Sequence, residues 1–82
     1  MDQKERAKKD LDKLDRIIAI FRSLGLDKKY PKVLEYAENY GADAKHFFVK
    51  GDYFSSFGAA NYAYGYMDAI LLIEGKKDEH IL

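Results

Sequence analysis

The sequence has 82 residues, no cysteine, and equal numbers of basic and acidic residues, 14 of each. A chain of this length forms one domain, and without cysteine it has neither disulfide bonds nor thiolate metal ligands. The balanced charge argues against a dedicated nucleic-acid or anionic-membrane binder. The longest apolar run, Ala69 to Ile73, is far shorter than the roughly 20 residues of a membrane-spanning helix.

The N-terminal segment indicates in which cellular compartment the protein is expected. It carries charges of both signs from Asp2 to Lys13 and contains no apolar stretch, so it does not have the form of a signal peptide. The lack of cysteine is compatible with a reducing compartment. We therefore expect a cytoplasmic protein.

A first helix is predicted from Asp2 to Leu24. Its apolar residues recur at steps of four and three, which places them on one helix face. Asp2, with Glu5 three residues later, has the form of a capping box, and Gly25 is suited to end the helix. The residues of the apolar face are Ala7, Leu11, Leu14, Ile18 and Phe21.

A short linker from Asp27 to Tyr30 leads to a second helix, predicted from Pro31 to Lys50, since proline suits the first helical position. Gly41 costs about 1 kcal/mol relative to alanine inside a helix, so it either lies within a continuous helix or breaks the segment, with Asp43 capping a second piece. We favour a continuous helix because the apolar periodicity keeps its phase across Gly41. The repeating apolar positions are Val33, Ala37, Tyr40, Ala44 and Phe47.

A third helix is predicted from Tyr53 to Glu74, after a glycine stop at Gly51 and an N-cap at Asp52. Its only charged residues are Asp68 and Glu74, and most of its circumference is apolar or small. A helix of this kind must be covered on most sides. We expect it to pack against both other helices, or on a second subunit as well.

The connections between the three long helices are short, which makes neighbouring helices antiparallel. The sequence therefore predicts an all-α fold, an antiparallel up-down-up three-helix bundle, as a single domain over residues 1–75. The charged segment over residues 76–82 is predicted to fray.

The third helix carries an unusual polar stripe. Asn61 and Asp68 lie seven residues apart, Gly58 and Gly65 flank them at the same spacing, and Phe54 and Leu72 lie at the two ends of the stripe. In one interpretation the glycines admit a neighbouring helix, while the amide and the carboxylate form a buried network that fixes register. In the other, Asp68 anchors the charge of a small ligand and Asn61 orients it, in a pocket that Tyr64 and Tyr40 complete.

Seven tyrosines lie in or next to the second and third helices. Tyrosine combines a large apolar body with a polar tip, so it suits core edges and binding surfaces equally. Tyr62 and Tyr66 are four residues apart and are predicted to lie side by side on one face. The candidate binding residues are therefore these two tyrosines together with Asn61, Asp68, Tyr64 and Tyr40.

Catalytic and metal chemistry find no support in the residue pattern. Asp43 and His46 form the one carboxylate–histidine pair at helical spacing, whereas di-metal bundles need two such pairs and two further carboxylates. No serine has a histidine at a suggestive position. We expect no catalytic residue, no metal and no cofactor.

The segment from Pro31 to Ile73 resembles a known family. The turn Lys50-Gly51-Asp52-Tyr53 and the following run FGAANYAYGYMDA are similar to the archaeal domain-of-unknown-function family three-five-seven. The resemblance covers about residues 31–73 and implies a short, cytoplasmic, archaeal helical-bundle protein. It implies no activity and no catalytic residue.

Two hypotheses about function follow. The first is a non-enzymatic interaction module that self-associates, as a homodimer, or docks on a partner protein through the third helix, with no nucleic acid or membrane partner. The second is a small-ligand-binding or enzyme-assisting bundle that uses the Asn61 and Asp68 stripe.

Overall fold

The computed structural model describes residues 1–76, and within that range the secondary structure is entirely helical. The helices are α1 (Gln3–Ser23), α2 (Leu26–Lys29), α3 (Pro31–Val49) and α4 (Tyr53–Ile73). The all-α prediction is confirmed. Apart from Lys76, the predicted tail lies outside the described residues. None of the helices in the described range is long and apolar enough to cross a membrane.

Local capping sets the ends of the long helices as predicted. The carboxylate of Asp2 accepts a hydrogen bond from the backbone N–H of Glu5 at 2.8 Å, and that of Asp52 accepts one from Ser55 at 3.1 Å. Gly51 has a φ of 83°, in the left-handed region that glycine adopts without steric cost. These contacts are local in sequence, so the residue pattern alone was sufficient to locate them.

The predicted linker from Asp27 to Tyr30 is wrong in one respect, since Leu26–Lys29 form the single-turn helix α2. Gly25, with a φ of 74°, redirects the chain after α1. Leu26 is buried, and its carbonyl accepts the N–H of Tyr30 at 2.8 Å, closing the turn. Burial of one leucine therefore organises a connection that carries little periodic signal.

The core combines large side chains from α1 and α4 with small ones from α3. Phe21, Leu14, Ile17, Met67 and Leu71 are the largest fully buried apolar side chains. The buried residues of α3 are Ala37, Gly41 and Ala44. Because these residues project so little, the α3 backbone lies close to both neighbours.

Gly41 lies where α3 meets α1. The helix passes through this residue without a break, as expected. A Cβ atom placed at Gly41 would lie 3.1 Å from Cδ2 of Leu14, tighter than ordinary van der Waals contact. Close approach of the two helices thus accounts for a glycine that helix propensity disfavours.

The contacts between α3 and α4 run in opposite order along the two helices. They join Tyr30 to Glu74, Tyr40 to Tyr62 and Ala44 to Ser56. The last is a buried hydrogen bond in which the Ser56 hydroxyl donates to the Ala44 carbonyl at 2.7 Å.

The contacts between α1 and α4 run in the same order along both helices. They join Arg6 to Phe57, Asp10 to Asn61 and Lys13 to Tyr64. Two exposed ion pairs between α1 and α3, Asp15 with Lys45 and Arg22 with Glu38, run in opposite order. Such exposed pairs contribute little to the free energy of unfolding, but their order shows how the two helices run relative to each other.

Glu74 ties the end of α4 to the start of α3. Its carboxylate accepts a hydrogen bond from the Tyr30 hydroxyl at 2.6 Å and pairs with the Lys29 ammonium at 2.7 Å. The hydrogen bond from Lys29, and next that from Tyr30, hold the pKa of Glu74 below its ordinary value of 4.5. The ionised carboxylate is therefore the form that the folded state favours.

Replacement of Gly41 by leucine is expected to lower the free energy of unfolding by about 1–3 kcal/mol, because the added side chain overlaps Leu14. Urea denaturation followed by circular dichroism measures the change. Ala42→Leu is the matched control, since Ala42 is the next residue of α3 and is exposed. Equal losses in the two variants would contradict the close approach at Gly41.

The contribution of Glu74 is expected to depend on pH. Because its pKa is lower in the folded state, the ionised carboxylate stabilises the protein above its unfolded pKa, and this contribution is lost as the pH falls through the folded pKa. Glu74→Gln should therefore be less stable than the parent protein at pH 7 and close to it near pH ~3. Thermal unfolding of both proteins across this range measures the difference.

Glu35→Gln is the control for that titration. Glu35 is exposed, and its nearest approach to Lys32 is 4.0 Å. We expect this variant to follow the parent protein at every pH. A stability difference for Glu74→Gln that stays constant from pH 7 to ~3 would contradict the role of its charge.

Candidate functional site

The strongest candidate for a functional surface is the side of α4 that faces away from the core. Ser56, Ala60, Ala63, Met67 and Leu71 are buried and lie on one side of the helix. The opposite side is exposed, and we call it the open face of α4. It consists of Phe54, Gly58, Tyr62, Gly65, Ala69, Leu72 and Ile73.

The single chain leaves one side of α4 uncovered, so cover on most sides would require a second subunit, the second of the two expected arrangements. The helix packs against both α1 and α3, but Phe54 is 78% exposed, Leu72 65% and Ile73 72%. Two neighbouring helices cover only about half of a helix circumference, so an apolar helix in a small bundle keeps one side in solvent. The uncovered side is the one along which Gly58 and Gly65 lie.

The open face carries no charge. Asp68 lies at its edge and is half-buried. At Gly58 and Gly65, an added Cβ would meet nothing within 4 Å, and neither residue has a positive φ. Each glycine costs about 1 kcal/mol relative to alanine inside a helix, and no contact within the chain requires it.

A groove of about 490 Å³ crosses the open face. Gly65 and Ala69 line it where the helix has least side-chain bulk. Its walls come from α4 and from the start of α3. The wall residues are Val33, Asn61, Tyr62, Tyr66 and Ile70.

Asn61 closes one edge of the groove by linking α4 to α1. Its side-chain N–H₂ donates to the Asp10 carboxylate at 3.1 Å and to the Phe57 carbonyl at 2.9 Å. The two donors of the amide are therefore both used within the protein. In this geometry the Asn61 amide links α4 to α1 through Asp10.

Four tyrosines form a cluster on the other side of the groove. Tyr40 lies 4.8 Å from Tyr62 between ring centroids, and Tyr66 lies 6.2 Å from Tyr36. The predicted contact between Tyr62 and Tyr66 is present, edge to face at 5.2 Å. A hydrogen bond with Tyr62, and then burial, raise the pKa of Tyr66 to about 12.

The residues of the predicted ligand pocket are divided between two sides of α4. Asn61, Tyr62 and Tyr66 line the groove, and Tyr40 packs against them from α3. Tyr64 instead faces α1, with the Lys13 ammonium 4.3 Å from its ring centroid. Asp68 follows one turn later and is half-buried. The structure therefore brings Tyr40, Tyr62 and Tyr66 together beside Asn61. Tyr64 lies apart from these three tyrosines, on the α1 side of the helix, where Asn61 also contacts Asp10.

Residue spacing indicated part of the open face and missed part of it. The polar stripe of the sequence already contains Phe54, Gly58, Gly65 and Leu72. Ala69 lies outside that stripe, and Val33 joins the groove only because α3 packs beside α4. The low charge of α4 indicates in the sequence that this helix has an apolar surface, but it does not indicate which side of the helix stays exposed.

The described residues offer no metal site. Over residues 1–76, no three histidine, cysteine, aspartate or glutamate side chains lie close enough to hold an ion. Asp43 and His46, the pair considered from the sequence, are both exposed on α3.

The family model described as "Protein of unknown function (DUF357)" matches residues 5–74 of the chain. The match confirms the family that the sequence resembles and extends it, since it takes in most of α1 as well as α3 and α4. No curated protein and no solved structure matches the chain.

The network at Asn61 predicts an energetic coupling between α1 and α4. In a double-mutant cycle, Asn61→Ala and Asp10→Ala should show a coupling of about 0.5–1.5 kcal/mol, the usual range for a protein hydrogen bond. Urea denaturation of the four proteins measures it. Asp12→Ala with Asn61→Ala is the control, since Asp12 pairs with Lys8. If the losses of unfolding free energy in Asn61→Ala and Asp10→Ala are additive, the Asn61–Asp10 contact does not contribute to stability.

Proposed function

The chain belongs to the DUF357 family, and for this member we propose a non-enzymatic interaction module that self-associates through the open face of α4. Its proposed architecture is an antiparallel up-down-up three-helix bundle of α1, α3 and α4. A cytoplasmic location stays a prediction from the composition.

The order of contacts supports the proposed architecture. Contacts from α3 to α4 and from α1 to α3 run in opposite order, as they do between antiparallel helices. Contacts from α1 to α4 run in the same order, as they do between the first and third helices of an up-down-up bundle. The single-turn helix α2 belongs to the connection between α1 and α3.

The single observation that carries the proposed function is the size and character of the open face. Phe54, Tyr62, Leu72 and Ile73 each leave more than half of their surface in solvent. An aromatic side chain has roughly 150–250 Å² of surface and a leucine or isoleucine less, so the exposed fractions of the four add to on the order of 500 Å² of mostly apolar surface. This area is near the upper end of the apolar patches that monomeric proteins expose. It approaches the roughly 800 Å² that each partner buries in a standard interface.

The two glycines give independent support. In the isolated chain Gly58 and Gly65 lower helix stability without any steric need for them. Against another helix their lack of side chains allows close backbone approach, which increases packing contacts along the whole crossing. Self-association therefore provides a reason for both residues.

A small-ligand site in the groove is the second candidate function. The observation that favours it is that Asn61, Tyr62 and Tyr66 put polar atoms on the rim of an apolar groove. Such a mixture is typical of small-molecule sites. Loss of a bound metabolite in Tyr66→Phe, with an unchanged oligomeric state, would favour this candidate over self-association.

Self-association is tested by light scattering. We expect a mass near twice 9.5 kDa at micromolar concentration. Leu72→Glu should convert the protein to a folded monomer, because it places a charge within the apolar contact. Val49→Glu is the matched control, since Val49 is 86% exposed but lies on α3, off the open face. A parent protein with the mass of a single chain at every concentration would exclude this function.

A further inference from the structure

We propose that the occupant of the open face is a second copy of this chain with its α4 antiparallel, so that Phe54 of each copy fills the Gly65–Ala69 groove of the other. This inference rests on the proposed self-association and adds its geometry.

Phe54 is the projecting side chain. It lies in the first turn of α4 and is 78% exposed, the most exposed aromatic ring among the described large apolar residues. Its neighbours at the base are Tyr53, Phe57 and Arg6, which line a crevice with it. A phenylalanine in this position has apolar surface to bury and no partner for its outer face within the chain.

The groove lies farther along the same side of the helix. Gly65 and Ala69 follow Phe54 by 11 and 15 residues, which at 1.5 Å per residue is about 16–22 Å along the axis. At about 100° per residue both lie within roughly 60° of Phe54 around the helix. A ring and a groove that could receive it thus lie on one face, but too far apart to meet within one chain.

Two-fold symmetry decides how two copies can bring them together. In a parallel pair each residue faces its own equivalent, so Phe54 meets Phe54 and the grooves face each other unfilled. In an antiparallel pair centred between Asn61 and Tyr62, Phe54 faces Ala69 and Gly58 faces Gly65. Only this arrangement fills both grooves and places the two glycines at the closest approach.

Charge is consistent with a second copy as the partner. The open face has no charged residue, so two identical faces meet without like-charge repulsion and without leaving an unpaired charge buried. Antiparallel helices also oppose their dipoles, which is the favourable orientation. A charged partner finds no complementary charge on this face, whereas a second α4 carries the same ring-to-groove spacing by identity.

Spin labels measure the helix direction. The chain has no cysteine, so an introduced one is the single labelling site. Ile73→Cys labels one end of the open face and should give an inter-copy distance beyond about 30 Å if the helices are antiparallel, and below about 20 Å if they are parallel. A second experiment mixes Ser55→Cys and Ile73→Cys proteins and measures the distance from the label at position 55 of one copy to the label at position 73 of the other. This distance should be short in the antiparallel pair and long in the parallel pair.

A ring-to-groove exchange tests the contact itself. Phe54→Ala should weaken self-association by roughly 10- to 100-fold, as removal of a central aromatic does, and Ala69→Phe should weaken it by blocking the groove. The double variant Phe54→Ala/Ala69→Phe places a ring opposite a small residue again and should recover at least part of the loss. Circular dichroism confirms that each variant folds, and Val49→Ala serves as an exposed control off the face.

The outcomes separate this inference from the proposed function. A parent protein that never associates contradicts both. A protein that associates with a short Ile73–Ile73 distance, or whose association ignores Phe54→Ala, retains the proposed function and overturns the antiparallel contact. Long Ile73–Ile73 distances together with recovery in the double variant support it.

Discussion

Close packing of α3 against the two other long helices is the constraint on which the rest of the structure depends. Ala37, Gly41 and Ala44 bring the α3 backbone close to Leu14 and to the buried side of α4. The large side chains of the core therefore come from α1 and α4. With α1 and α3 both committed to this core, only one side of α4 is covered, and the opposite side faces solvent.

The polar contacts of α4 lie at the borders of that exposed side. Asn61 is held by Asp10 on the α1 side, and the tyrosine cluster packs against α3 on the other. Glu74 is held at the C-terminal end by Lys29 and Tyr30. These residues bond or pack against other helices of the chain. They therefore fix the orientation of α4 and leave the open face uncovered. The face between them is left apolar, uncharged and low in side-chain bulk.

The proposed association rests on the exposed features of α4. A catalytic site gathers titratable groups whose pKa values shift toward their task. In the described residues, the shifted groups at Glu74 and Tyr66 are explained by hydrogen bonds that join helices. What remains without an explanation inside one chain is an exposed phenylalanine, two helical glycines and the groove between Tyr62 and Ala69. The proposed partner surface would account for all three.

The sequence by itself determined the family and, to within one residue, the boundaries of the three long helices, because caps such as Asp2 and Asp52 and the apolar periodicity of α1 act within a few residues. The tertiary structure alone decided which side of α4 is open, since a helix that is apolar or small all round has no periodicity to orient it. It also decided that Asn61 pairs with Asp10, 51 positions away, and that Leu26 begins a helical turn. Such contacts depend on how the helices pack in space, which no local pattern of residues encodes.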